Sequence, residues 1–136
     1  MKRSAGIFFT DGESFLILLR NSKSKIWSVP GGKQEDHENS WDTACRETKE
    51  EIGFMPDGVE IGKFPDFFKN NYFVTYIVLI DKKFDCTLSE EHLDYKWIKF
   101  HEVDDYNLHE RLYKKIKLFK NYIFTKSEIA KYKSNQ

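Results

Sequence analysis

A chain of 136 residues suits one domain built on one core, and a second domain would not fit comfortably. Its 22 basic and 22 acidic residues cancel, which argues against a general nucleic-acid or membrane-surface binder and makes any nucleic-acid contact local. No apolar stretch approaches the ~20 residues that cross a bilayer, no secretory leader pattern opens the chain, and Cys45 and Cys86 are too few for a disulfide framework. A cytoplasmic protein in a reducing compartment is expected, with no membrane partner and both thiols as small buried residues.

In chain order, Arg3–Phe9 and Ser14–Arg20 are β-rich runs around an Asp11-Gly12 turn, and the spacing predicts a hairpin. Both runs are almost continuously apolar, as strands covered on both faces are. A polar loop over 21–25 precedes a short extended piece, Ile26–Val29, which Pro30 stops. Gly31-Gly32 permits backbone conformations closed to other residues, and a carbonyl there could face a metal. After a polar loop, Asn39 or Ser40 caps a helix that runs to Ile52, with Gly53 as its C-terminal stop.

That helix carries chemistry in its spacing. Glu47, Glu50 and Glu51 fall at i, i+3 and i+4 on one face, and Trp41, Ala44, Cys45, Thr48 and Ile52 fall on another. The second face can bury against a sheet. The first repels itself unless a cation neutralises it, and carboxylate oxygens are hard ligands suited to Mg²⁺ or Mn²⁺. An ordinary solvated Glu/Lys face is the competing explanation for the helix taken alone.

Read as a whole, Gly32, Glu38, Arg46-Glu47, Glu50-Glu51, Gly53 and Phe54 stand at the spacings G-x5-E-x7-R-E-U-x-E-E-x-G-U, with U a bulky apolar residue. This resembles the signature of the Nudix hydrolases. Every charged and glycine position matches, and the one departure is Thr48, where the pattern asks for an aliphatic residue; packing, not chemistry, is touched. The resemblance implies an α/β fold, an α/β/α sandwich with a mixed β-sheet, over about residues 2 to 124 of a single domain spanning 1–136. It also implies that Arg46 pairs with Glu38 and orients the metal-binding glutamates. Only four arginines occur in the chain, which makes Arg46 less easily filler.

Beyond the helix, Pro56-Asp57-Gly58 is a turn and Val59–Phe64 a strand, and the segment 65–71 breaks the pattern before Tyr72–Ile80, the longest apolar run and a central strand. A polar loop follows. The segment Glu91-His92-x-x-Tyr95-x-Trp97 resembles the form seen in diadenosine tetraphosphate hydrolases, where such a segment supplies an extra carboxylate to the metal site. An ordinary loop acid is the alternative for Glu91, and His92 has a weaker case. Leu108, Leu112, Ile116, Phe119 and Ile123 recur at helical spacing and predict a packing helix to Phe124, followed by a polar tail from about 125. Phe67, Phe68, Tyr72 and Tyr76 are candidates for stacking on a nucleobase and Tyr95 for contacting another substrate group, although aromatics on strands are more often core.

The resemblance implies divalent-metal-dependent hydrolysis of a pyrophosphate bond in a nucleoside diphosphate linked to another moiety, a dinucleoside polyphosphate or a (d)NTP. Sugar nucleotides and RNA 5′ ends are alternatives. Gly31, Glu47, Glu50 and Glu51 would hold the ion, with Arg46, Glu50 and Glu91 as the catalytic set and either Glu50 or Glu91 as the proton acceptor. No Ser or Cys nucleophile is needed when metal-activated water attacks. The expected partner is a small-molecule nucleotide, and the expected state a monomer or homodimer. A non-catalytic nucleotide sensor is the reading from another class; three mutually repelling carboxylates argue against it.

Overall fold

A computed structural model describes residues 1–134. The elements, in order, are β1 (Lys2–Thr10), β2 (Ser14–Arg20), β3 (Trp27–Ser28), β4 (Gly31–Lys33), α1 (Ser40–Ile52), β5 (Val59–Phe68), β6 (Asn71–Leu79), β7 (His92–Lys99), a 3₁₀ turn (Phe100–Asp105) and α2 (Glu110–Ser134). The sheet is mixed. β1 pairs in parallel with β6 along its whole length, β6 pairs antiparallel with β5, and the main path runs β3-β2-β1-β6-β5.

The two faces of this sheet explain the unbroken apolar runs. Ile7, Phe9, Leu16, Leu18, Val74 and Val78 pack under Ala44 and Ile52 of α1. Their chain neighbours Phe8, Phe15, Ile17 and Ile77 pack on the opposite side under Leu112, Phe119 and Ile123 of α2. Side chains alternate between faces along a strand, so a sheet covered twice needs an apolar residue at every position. This is the expected α/β/α sandwich.

The hairpin predicted at Asp11-Gly12 forms only at its tip. Asp11 caps the Glu13 and Ser14 amides at 2.9 and 2.8 Å, and Gly12 takes φ 100°. Strand pairing between β1 and β2 is limited to Thr10↔Phe15. Below it the strands part: β1 joins β4 and β6, while β2 pairs with β7 along its length. Their separated ends, Lys2 and Ser4 on one side and Leu18 and Arg20 on the other, line an open cleft.

Two boundaries differ from the sequence expectation. Pro65 does not break the strand; β5 continues through it to Phe68 and turns at Lys69-Asn70, both at positive φ (47° and 61°). β5 ends the main path, and an edge strand tolerates a residue without an N–H where that side needs no partner. The helix expected to end at Phe124 runs to Ser134, through the segment read as a polar tail. Among the described residues no helix is long and apolar enough to cross a membrane. Cys45 and Cys86 are free and half-buried rather than buried; burial raises both thiols, that of Cys86 to about 12.

Candidate active site

The site begins with two glycines in close quarters. β4 pairs antiparallel with β1 through Gly6↔Gly31 and Ala5↔Gly32. A Cβ on Gly31 would stand 2.7 Å from the Ala5 carbonyl oxygen, and one on Gly32 would stand 2.4 Å from Cδ of Glu47. The pair of glycines therefore lets β4 lie flat on β1 and lets a helix carboxylate lie flat on β4. The Gly31 amide donates to Oε2 of Glu51 at 2.8 Å, tying the C-terminal turn of α1 to the same strand.

Helix α1 is fixed at both ends. Asn39 accepts from the Asp42 amide at 2.8 Å and Asp42 reaches back to Asn39, a reciprocal cap. Gly53, at φ 93°, closes the other end by donating to the Lys49 carbonyl. Thr48, the departure from the signature, is fully buried and donates its hydroxyl to the Ala44 carbonyl at 2.7 Å, so its polar atom is satisfied within the helix.

Arg46 is the hub of the outer half of the site. Its Nε and Nη2 make a forked pair with Glu38 at 2.7 and 3.0 Å, Nη2 also meets the Lys33 carbonyl at 3.0 Å, and Nη1 reaches Glu47 at 3.1 Å and Glu50 at 3.2 Å. Thr43 donates a further bond to Glu38 at 3.0 Å. The guanidinium bond holds the Glu38 carboxyl down at about 2, and Arg46 is itself held above its ordinary range, chiefly by Glu38. One arginine thus clamps the loop before α1 to two glutamates of the helix.

The inner half is buried and short of positive charge. Glu51 is 4% exposed, and burial, reinforced by the charges of Glu47 and Glu91, raises its carboxyl from the ordinary 4.5 to about 9 despite the Gly31 bond. Glu47 is raised too, first by burial. Nε2 of His92 lies 3.5 Å from Oε1 of Glu51, but burial lowers the histidine as it raises the glutamate, so near neutral pH the two meet uncharged and make no ion pair. The other ring nitrogen, Nδ1, is buried without a partner among the described residues.

Glu91 completes this group. The loop before β7 is pinned to the end of α1 by the Thr87 amide on the Ile52 carbonyl at 3.0 Å and the Ser89 amide on the Glu51 carbonyl at 3.2 Å. The Asn21 amide then holds the Glu91 carbonyl at 2.8 Å. Ligand atoms of Glu51, Glu91 and His92 fall within 4.8 Å of one another. Glu90 offers its neighbours only a backbone carbonyl, to Asn21. Carboxylate oxygens of Glu51 and Glu91, beside an imidazole whose Nδ1 is buried without a partner among the described residues, are a donor set that fits a hard divalent cation.

The predicted residues are therefore unevenly gathered. Glu51 is bonded to Gly31, Glu91 meets Glu51, and Glu47 lies against Gly32, while Glu50 lies farther out with its side chain 57% exposed and turned to Arg46. Of the aromatics expected near a base or other substrate group, Phe67, Tyr72, Tyr76 and Tyr95 do not line the cleft. Phe67 is 68% exposed and packs on Tyr72, Tyr76 is buried against Trp41 with its hydroxyl 2.6 Å from Ser40, and the Tyr95 hydroxyl donates to Asp85 at 3.2 Å. The cleft, about 460 Å³, is lined by Phe68, which belongs to the expected aromatic set, and by Phe73, which does not; each is one position along its strand from Phe67 or Tyr72 and so on the opposite face. Sequence reasoning gave His92 little weight and passed over Arg111, which lines the cleft. The scarcity of arginine that singled out Arg46 applied equally to Arg111.

A family model described as the NUDIX domain matches residues 1–119. The m7GpppN-mRNA hydrolase of Saccharomyces cerevisiae is 40% identical over 63 residues, which is 46% of this chain but 6% of that protein. The nucleoside triphosphatase NudI of Klebsiella pneumoniae is 25% identical over 95 residues, 60% of this chain and 67% of that protein. Among solved structures, a C. elegans Ap4A hydrolase binary complex superposes with TM-score 0.76 at 20% identity, covering 90% of this chain and 98% of that one. The E. coli dihydroneopterin triphosphate pyrophosphohydrolase gives 0.68 at 19%, with 86% and 93% covered. At these identities the structural likeness speaks for the fold. The match over 119 residues, the sandwich and the signature helix together make the chain a member of the Nudix hydrolase family.

Proposed function

We propose that this chain is a divalent-metal-dependent pyrophosphohydrolase acting on a nucleoside carrying a di- or polyphosphate. The observation that carries the reading is the meeting of Glu51, bonded to Gly31, with Glu91 and His92, with Glu47 against Gly32 next to them, where Glu51 and His92 line a cleft of about 460 Å³ that also holds Lys2, Arg20 and Lys33. Acid groups to hold a cation and basic groups to hold phosphate oxygens meet in one concavity of the size small ligands use. The relatives named above act on different compounds, and what their names share is a nucleotide-like molecule bearing linked phosphates.

Bound here, Mg²⁺ or Mn²⁺ would supply Lewis acidity toward a phosphoryl oxygen and lower the pKa of an attacking water. Glu47, Glu51 and Glu91 would be its protein ligands. Glu50, exposed and next to them, is free to accept the proton that the attacking water loses, once substrate or ion draws it from Arg46. Arg46 and Glu38 hold the glutamates in place. A panel of Ap4A, the four nucleoside triphosphates, ADP-ribose and a capped RNA, with Mg²⁺ and with Mn²⁺, tests the reading by chromatography of products. Cleavage at a phosphoanhydride that stops on chelation supports it; metal-independent cleavage, or none across the panel, overturns it.

A further inference from the structure

Arg111 presents a feature the phosphate chemistry does not use. It is 6% exposed, its guanidinium lies 3.5 Å over the ring of Phe73, and Nη1 donates to Thr75 Oγ1 at 3.3 Å. It forms no salt bridge within 4.0 Å among the described residues, although Asp66, paired with Phe73 on the neighbouring strand and itself holding a buried Oδ1 without a partner, attracts it; burial lowers Arg111 to about 10. A guanidinium carries five donors. With one on Thr75 and one face on Phe73, its Nε/Nη2 edge has no partner, and the residue lines the cleft. A buried guanidinium with one neutral acceptor and donors to spare, lining a cleft, is a candidate binding group.

The sheet register relates the strand positions to which this group and Glu51 are bonded. Gly31, Gly6 and Thr75 lie in one row across three strands. Glu51 is bonded to the Gly31 end and Arg111 to the Thr75 end. These anchor points stand two strand spacings, about 10 Å, apart, and Glu51 and Arg111 line the same cleft, an extent comparable with the reach from a nucleotide's phosphates to its base. The surroundings at the Arg111 end suit a base: Phe68 and Phe73 are there, and Phe68 meets the His109 ring at 5.6 Å.

We propose that Arg111 is a specificity-determining residue whose guanidinium fork reads a base with two adjacent acceptors, guanine through O6 and N7 or cytosine through O2 and N3. Adenine and uracil offer no such pair: adenine N1 and N7 each neighbour the 6-amino donor and its N3 stands alone, and both uracil carbonyls neighbour the N3 hydrogen. Bidentate arginine to the guanine pair is the commonest specific contact of this type. The inference rests on the carboxylate cluster being the phosphate end of the cleft.

The test is calorimetric binding of GMP, CMP, AMP and UMP in EDTA, where neither metal nor turnover intervenes. Wild type should bind GMP or CMP about tenfold or more tightly than AMP and UMP, and the panel tells guanine from cytosine. Arg111→Lys, which keeps the charge and loses the fork, should bring the four within about threefold of one another by weakening only the preferred base. Equal binding of the four by wild type, or binding of none, overturns the proposal without any variant. A uniform loss across all four bases in a folded Arg111→Lys protein also overturns it, since the arginine would then be a phosphate anchor. Turnover of the triphosphates with Mg²⁺, measured alongside, separates the readings: base preference without turnover sinks the hydrolase alone, and turnover without preference sinks this inference alone.

Discussion

The Gly31 amide donates to the Glu51 carboxyl over 2.8 Å, and this bond joins the glycine strand to the last turn of the signature helix. It is too little to keep the acid ionised. Burial and the neighbouring Glu47 and Glu91 leave Glu51 protonated up to about pH 9 in the metal-free protein. Folded Glu51 therefore binds a proton that unfolded Glu51 gives up near 4.5. The unfolded state binds fewer protons between those values, so metal-free stability falls as pH rises from about 5 to about 9. Thermal melts in EDTA should show this decline, and Glu51→Gln should flatten it. Binding Mn²⁺ at pH 7 should release about one proton per site, readable by calorimetry in buffers of different ionisation enthalpy.

The forked Glu38–Arg46 pair behaves in the opposite sense. Glu38 is held down at about 2, so its contribution to stability is present above about 4.5 and lost as pH falls toward 2. Acid titration of Glu38→Gln should lose that component. Turnover should drop ~10–100-fold, the usual cost of removing a group that orients metal ligands. Wild-type turnover in this variant would mean that Glu47 and Glu50 need no help from Arg46.

Gly32→Ala isolates the packing of Glu47 on β4. The added Cβ would meet the Glu47 carboxyl group at 2.4–2.7 Å, the mobile end of a side chain, so the fold should tolerate it while the carboxylate is pushed aside. Metal affinity should fall ~10-fold or more with little change in melting temperature. Gly31→Ala meets the Ala5 carbonyl oxygen at 2.7 Å, a backbone atom, and should destabilise the protein by ~1–3 kcal/mol. Equal effects of the two substitutions on stability would contradict this division.

Glu91 and Glu90 make a matched pair of variants. Only Glu91 brings a carboxylate to Glu51 and His92. Steady-state kinetics of Glu91→Gln should show kcat reduced by at least ~10² with a small change in KM, the mark of a group needed in the transition state. Glu90→Gln should be nearly silent. A reversed outcome would mean that the other acid faces the site.

Much of this arrangement is legible in the chain because its signals are local. The Asn39 cap, the Gly53 stop and the face shared by Glu47 and Glu51 follow from spacing along one helix. What the chain hides is set by pairing between distant segments. Whether Phe67 or Phe68 meets the cleft depends on one step of strand register, and period-two alternation gives neither face a label until β5 is laid against β6. Pro65 reads as a breaker because its position at the end of the strand path is a property of the whole sheet. Arg111 gains its meaning from Thr75 and Phe73, which are far from it in sequence and beneath it in space. His92 likewise becomes notable only when the loop before it is tied to the end of α1.

The account stands most directly on one measurement, equilibrium binding of Mn²⁺ followed by electron paramagnetic resonance in wild type and in Glu47→Gln, Glu51→Gln and Glu91→Gln. Wild type should bind the ion, and each substitution should weaken binding ~10-fold or more, because each removes a carboxylate from one cluster. Undiminished binding in Glu51→Gln, with the protein folded, would place the metal somewhere other than beside the Gly31-Gly32 strand and would contradict the proposed active site.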